Sequence, residues 1–198
     1  MKRVIVATNN EHKADEIAHV LDMEGFEFIT LADAGIISNP EENADSFVGN
    51  ARIKALAAYD ASGRVAVLAD DSGLEVDALD GAPGVYSSRF AGEDGNDEAN
   101  NALLLEKLQG VPDDERTARF VCTMVFIDED GTEKVATGVV RGRIGYTETG
   151  SEGFGYDPLF LPDEYGWTRT FAEVPQSEKN EISHRARALR SLKAQLTE

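Results

Sequence analysis

Apolar positions recur along the chain with two different periods, and the elements follow from which period holds. Lys2 to Thr8 reads as a strand, because Val4, Ile5 and Val6 in succession suit burial on both faces. The spacing then lengthens. Ala14, Ile17, Val20 and Leu21 share one helical face, with Asn9 or Asn10 as N-cap. Gly25 ends that helix, and Phe26–Leu31 is a second strand. A loop from Asp33 to Asn43 leads to a helix from about Asp45 to Ala61, whose stripe is Phe47, Ala51, Ala55 and Ala58; Gly63 stops it. Val65–Ala69 reads as a short buried strand ending in a turn at Asp70-Asp71-Ser72-Gly73, and Leu74 to Ala78 as a half-exposed strand beyond it. Gly81 to Gly84 is a turn and Gly92 to Asn96 a polar loop, followed by a helix from Asp97 to Leu108. Arg119–Ile127 and Glu133–Ile144 are apolar strands joined at Asp130-Gly131, a hairpin signal. Leu159 to Leu161 resumes a strand, and Ala188, Leu189, Leu192 and Leu196 mark the buried side of a last helix. Helices alternate with strands early and strands pair late, which predicts an α/β domain on a mixed sheet. No repeat or linker interrupts the 198 residues, so one domain, 1–198, is expected.

Charge narrows the partners. With 37 acidic residues against 19 basic ones the net charge is −18, a field that repels nucleic acid and anionic membrane. The acids are scattered rather than bunched in a tail, which suits adaptation to high salt as well as an ordinary acidic cytosolic protein. Cys122 is the only cysteine, which excludes an intramolecular disulfide and a cysteine-based metal centre. Its apolar neighbours predict a buried, inert thiol. No apolar run has the length of a signal-peptide core or a membrane span, so a cytoplasmic protein is expected.

Five stretches carry candidate chemistry, each with a plainer reading beside it. Asp70 and Asp71 suit a divalent metal, or a solvated Asx turn. Thr8-Asn9-Asn10-Glu11-His12-Lys13 gathers free amides and an ammonium group at a helix N-terminus, a phosphate cradle or a capped helix with a solvated lysine. Lys54 either snorkels from its alanine-rich helix or meets an anion. Gly150 to Asp157 alternates glycines with Phe154 and Tyr156, suiting a flat ring stacked on an aromatic face, or a loop pinned by core aromatics. Ser177 to Arg185 places His184 and Arg185 in a first helical turn, where the dipole disfavours cations unless an anion joins them. Taken together the five complement one ligand. Thr8, Asn10, Lys13, Lys179 and Arg185 offer donors to phosphate oxygens, Asp70, Asp71 and Glu41 or Glu42 suit magnesium, and Phe154 and Tyr156 flank a base.

These stretches, with Gly81-Ala82-Pro83-Gly84-Val85-Tyr86-Ser87, resemble the inosine/xanthosine triphosphate pyrophosphatases, the non-canonical purine nucleoside triphosphate pyrophosphatase family, in order from Arg3 to about Leu192. The resemblance implies hydrolysis of ITP, dITP and XTP to monophosphate and pyrophosphate, magnesium, a homodimer, and an elongated mixed sheet with two lobes around a central cleft. It implies Asp71 as general base, metal on Asp71 and Glu41, and substrate contacts at Thr8 to Lys13, Ser72, Phe154, Gly155, Tyr156, Asp157, Lys179, His184 and Arg185. One departure stands out: the family usually has Glu-Asn-Ala where this chain has Gly49-Asn50-Ala51.

The chemistry is coherent. Metal and cations must neutralise phosphate oxygens before water attacks, and a carboxylate can orient and deprotonate that water. His184 and Arg185 can donate to the six-position carbonyl of ITP but accept nothing from the amine of ATP, an asymmetry able to give large selectivity. Two rivals stay open: a nucleotide-binding regulator without turnover, and a phosphatase using an aspartate nucleophile. Their products separate them from the pyrophosphatase reading.

Overall fold

The computed structural model describes residues 1–10, 13, 14, 17, 21 and 23–197. Among the described residues six strands form one mixed sheet in the order β2-β1-β3-β4-β5-β6. They are β1 (Lys2–Val6), β2 (Phe26–Thr30), β3 (Ala66–Val76), β4 (Thr117–Ile127), β5 (Glu133–Ile144) and β6 (Phe160–Pro162). β1 runs parallel to both neighbours, with Val4 opposite Phe28 and Ala66, while β6 runs antiparallel to β5. Helices fully within the described residues include α1 (Phe47–Ala61), α2 (Asp97–Lys107), α3 (Gln176–Ile182) and α4 (His184–Thr197). Of the helix expected from Ala14, Lys13, Ala14 and Ile17 are helical, and Val20 lies outside the described residues.

The chain divides into two compact units. One holds residues 1–71, 122–138 and 185–198; the other holds 72–121 and 139–184. In the first, strand alternation sends side chains to two cores. Val4, Val6, Leu68, Met124 and Phe126 pack with Ala188, Leu189 and Leu192 of α4. Ile5, Val67, Ala69, Val125 and Ile127 pack with Ala51, Ala55 and Ala58 of α1. The small alanine stripe brings α1 close to the sheet. Each fully buried Val, Ile, Leu or Phe contributes about 1.5–3 kcal/mol. The second unit has its own core, in which Leu104 and Leu108 of the α2 segment meet Leu74, Val76, Phe120, Val140 and Phe160.

The largest departure from expectation is β3. It does not turn at Asp70-Asp71-Ser72-Gly73 but runs unbroken for 11 residues, almost wholly buried. Turn-forming residues are tolerated because both aspartates find partners far along the chain, which no local pattern reveals. After Val76 the chain forms a 3-10 turn, Asp77–Leu79, rather than continuing as a strand to Ala78. The last segment holds two helices, with Ser183 between them in extended conformation. Among the described residues no helix is long and apolar enough to cross a membrane.

Candidate active site

Asp70 and Asp71 are consecutive in β3, so their side chains leave the strand on opposite faces. Asp70 joins the α4 face. Its Oδ2 lies 3.4 Å from the Arg185 guanidinium and 3.4 Å from Lys13 Nζ, and the buried Cys122 thiol donates weakly to it at 3.9 Å. Burial works to raise the Asp70 carboxyl, but Lys13, Arg185 and Lys54 outweigh burial and hold it well below the usual carboxylate range. Burial beside Asp70 pushes the Cys122 thiol up, keeping it protonated and inert as expected.

Asp71 joins the α1 face. The Asn50 side-chain amide donates to its Oδ2 at 3.2 Å, and Lys54 Nζ lies 3.4 Å from its Oδ1. The same ammonium is 2.8 Å from Glu42, so Lys54 bridges two carboxylates rather than snorkelling to water. Burial raises the Asp71 carboxyl; Lys54 and Lys13 oppose it, Glu42 and Asp70 add to it, and the net shift is upward. Burial works to lower Lys54, and Asp71, Asp70 and Glu42 overcome it, so this ammonium stays charged. Glu41 is exposed, and it is Glu42 that Lys54 ties to Asp71. Among the described residues no group of three or more histidine, cysteine, aspartate or glutamate side chains is gathered in metal-binding geometry.

The turn after β1 caps the helical residues that follow it. Asn10 is the cap: its Oδ1 accepts from the Lys13 N–H at 3.1 Å, and the Asn10 N–H donates to Thr8 Oγ1. Asn9 donates to the Ser38 carbonyl at 3.0 Å, tying this turn to the loop that leads to Glu42. Glu11 and His12 of the same stretch lie outside the described residues.

In the second unit the Phe154 loop is built around Asp157. Its Oδ2 accepts from the Phe154 N–H at 3.0 Å and from Lys179 Nζ at 2.6 Å, a fully buried ion pair. Gly153 has φ +76°, and a Cβ there would collide with the Asp157 carboxylate, so only glycine fits. The Lys179 ammonium sits 4.8 Å from the Phe154 ring centre. Lys179, expected to donate to phosphate, is thus engaged with this loop. Phe154 is half-buried, but Tyr156 is in the core, with its hydroxyl donating to the Ser87 carbonyl at 2.8 Å. The expectation that Tyr156 flanks a base is therefore corrected: its ring fills the second core and its one polar group is satisfied there. His184 is buried with its ring stacked on Phe120 at 4.8 Å, and Ser72 is half-buried on β3.

Sequence reasoning missed Asn50 as the residue that holds Asp71. It placed α2 but missed that its Asp97 and Asn101 contact Gly155. A signal existed in both cases. Asn50, Asn100 and Asn101 fall on otherwise apolar helical stripes, where a buried amide must find partners.

Residues 4–195 match the Ham1 family. The chain is 50% identical to the dITP/XTP pyrophosphatase of Exiguobacterium sibiricum, over 98% of this chain and 97% of that protein. It is 47% identical to the dITP/XTP pyrophosphatase of Clostridium perfringens, over 99% and 98%. Among solved structures, a HAM1 protein from Coxiella burnetii superposes with a TM-score of 0.89 at 38% identity, covering 100% of this chain and 99% of that one. With the match spanning nearly every residue and both sheet and helices reproduced, the chain belongs to the Ham1 family.

Proposed function

We propose that this protein hydrolyses non-canonical purine nucleoside triphosphates, ITP, dITP and XTP, to the monophosphate and pyrophosphate. The observation that carries this reading is Asp71: a buried carboxyl pushed upward, aligned by Asn50 and set beside a charged lysine. A base needs a pKa closer to neutrality than a free aspartate has, and burial supplies the shift. That the relatives from Exiguobacterium sibiricum and Clostridium perfringens are dITP/XTP pyrophosphatases supports the substrate class.

In this reading Asp71 takes the proton of the attacking water. Lys54 and Lys13 neutralise phosphate oxygens, exchanging their present carboxylate partners for the substrate's. Thr8 and Asn10, beside Lys13 at the helix start, offer further polar groups to phosphate. Phe154 offers a face to the purine, and His184 and Arg185 donate toward the six-position carbonyl.

This reading includes a magnesium ion, supported by two carboxylates that share one cation. Asp71 and Glu42 already hold one cation, the Lys54 ammonium, between hard oxygen atoms, with Glu41 adjacent in the chain. Asp71 with Glu41 or Glu42 would hold the metal, leaving other positions to water and phosphate, while Asp70 is paired with Arg185 as well as Lys13. Bound there, magnesium would neutralise the phosphates and acidify a water. A homodimer and a cytoplasmic location belong to the same proposal; sedimentation equilibrium giving a mass of one chain would remove the first.

Product analysis tests the reaction. With ITP and magnesium in ¹⁸O-water, label is expected in IMP and not in pyrophosphate, and ATP is expected to turn over far more slowly. Free phosphate as first product means an aspartate-nucleophile phosphatase, and binding without turnover means a regulator; either outcome overturns the proposal.

A further inference from the structure

Gly155 is held at both ends by one helix. Its N–H donates to Asp97 Oδ2 at 2.7 Å, and its carbonyl accepts from Asn101 Nδ2 at 3.1 Å. Asp97 and Asn101 lie four apart on α2, so both face the loop. The two bonds fix different peptide planes: the Gly155 N–H belongs to the plane shared with Phe154, the carbonyl to the plane shared with Tyr156. Gly155 has φ +63°, and no atom lies within 4 Å of where a Cβ would be. Glycine is thus required here by conformation rather than by space. Such a residue keeps one backbone geometry only where its surroundings impose it. Asn101 is 2% exposed, and α2 is itself anchored, since Asn100 accepts from the Ala91 N–H and donates to the Ser88 carbonyl.

We propose that Asp97 and Asn101 are positioning residues for base recognition: by fixing the two peptide planes at Gly155 they set the attitude of the Phe154 ring and thereby the discrimination between purines. This rests on the reading above that the Phe154 loop holds the base. The plainer account makes Asp97 an acid favoured at a helix start and Asn101 a core amide whose Nδ2 alone finds partners. That account moves the melting temperature and leaves substrate affinity alone.

Steady-state hydrolysis of ITP and ATP, with melting curves for every variant, separates the two. D97A and N101A are expected to raise KM for ITP about tenfold, the scale of one lost hydrogen bond to a well-aligned group. They are expected to leave kcat within about twofold and to narrow the preference for ITP over ATP. D97N keeps an acceptor oxygen of the same shape and is expected to restore KM, whereas N101D sets an acceptor against the Gly155 carbonyl and is expected to raise it. Should the alanine variants fail to fold, the D97N and N101D pair decides alone. Unchanged KM and preference in folded variants overturns the proposal, as does a fall in kcat at constant KM. F154A is the control: if it raises KM and the α2 variants do not, the positioning role fails, and if F154A itself has no effect, the base-binding reading fails.

Discussion

Asp70 and Asp71 are the same residue type at neighbouring positions, yet their carboxyl groups move in opposite directions, and the consequences for stability are opposite too. Asp70 is depressed in the folded state, so it contributes stability that is present above the ordinary carboxylate pKa of about 3.9 and lost as pH falls through the folded value. Asp71 is raised, so its ionisation opposes folding, and stability falls as pH rises from about 3.9 through the raised value. Asp70→Asn leaves Arg185 buried beside a neutral amide and is expected to cost about 3–5 kcal/mol at pH 7, the loss shrinking in acid. Asp71→Asn is expected to keep its melting temperature while kcat drops roughly 10²–10⁴-fold. Denaturant melts at pH 7 and pH 3 with parallel assays check both, and equal stability losses at the two positions would contradict this division. The acid pair was legible as chemistry from its residues alone. Which aspartate serves what came only from the family resemblance, which puts the base on Asp71; the residues alone do not say, because Lys54 and Arg185 lie far from the pair in sequence.

At the scale of elements, the start of α1 shows how a local departure can be compatible with the site. Ser46 caps the helix, its Oγ accepting from the Gly49 N–H at 3.3 Å. A glutamate at position 49, as the family resemblance leads one to expect, would complete a capping box. Here glycine leaves room instead: a Cβ would lie 2.6 Å from the Ala44 Cβ and 3.0 Å from Ser46 Oγ. Ala44 uses that room to donate its N–H to Asn50 Oδ1, and Asn50 in turn holds Asp71. Gly49→Ala should gain about 1 kcal/mol from helix propensity, worth about 2–4 °C in a chain of this size. We expect no such gain, and a fall in kcat as the Ala44–Asn50 contact is strained. A variant that melts several degrees higher at full activity would show that the loop yields freely. Helix α1 itself was readable to within two residues from its alanine stripe, and β5 to the residue, because period and cap residues agree there. β3 was read too short, since Asp-Asp-Ser-Gly is a turn signal in any chain that lacks buried partners for it.

For the molecule as a whole, the −18 charge sets the terms on which a polyanionic substrate arrives. Around the paired aspartates three cations, Lys13, Lys54 and Arg185, meet Asp70, Asp71 and Glu42, so this region is locally balanced within a strongly acidic protein. Exposed carboxylates elsewhere repel one another, and at low salt that repulsion reaches over about 10 Å or more. Melting temperature is expected to rise from low salt into molar potassium chloride, beyond the range where simple screening saturates. A curve flat above about 0.5 M, where the screening length is already only a few ångströms, would refute adaptation to high salt. The charge itself was legible at once, because net charge needs no fold to be counted.

Strand alternation in β3 also bears on how such a chain can change over generations. Adding or deleting one residue between Ala66 and Ala69 would hand Asp70 to the α1 side and Asp71 to the α4 side. Lys54 and Arg185 would each meet the wrong carboxylate, and two cores would turn inside out together. The turn at Ser62 to Arg64, just upstream, is under no such parity rule. Length variation is therefore admissible on one side of Val65 and lethal on the other, so this stretch can drift by replacement of residues but not by insertion or loss.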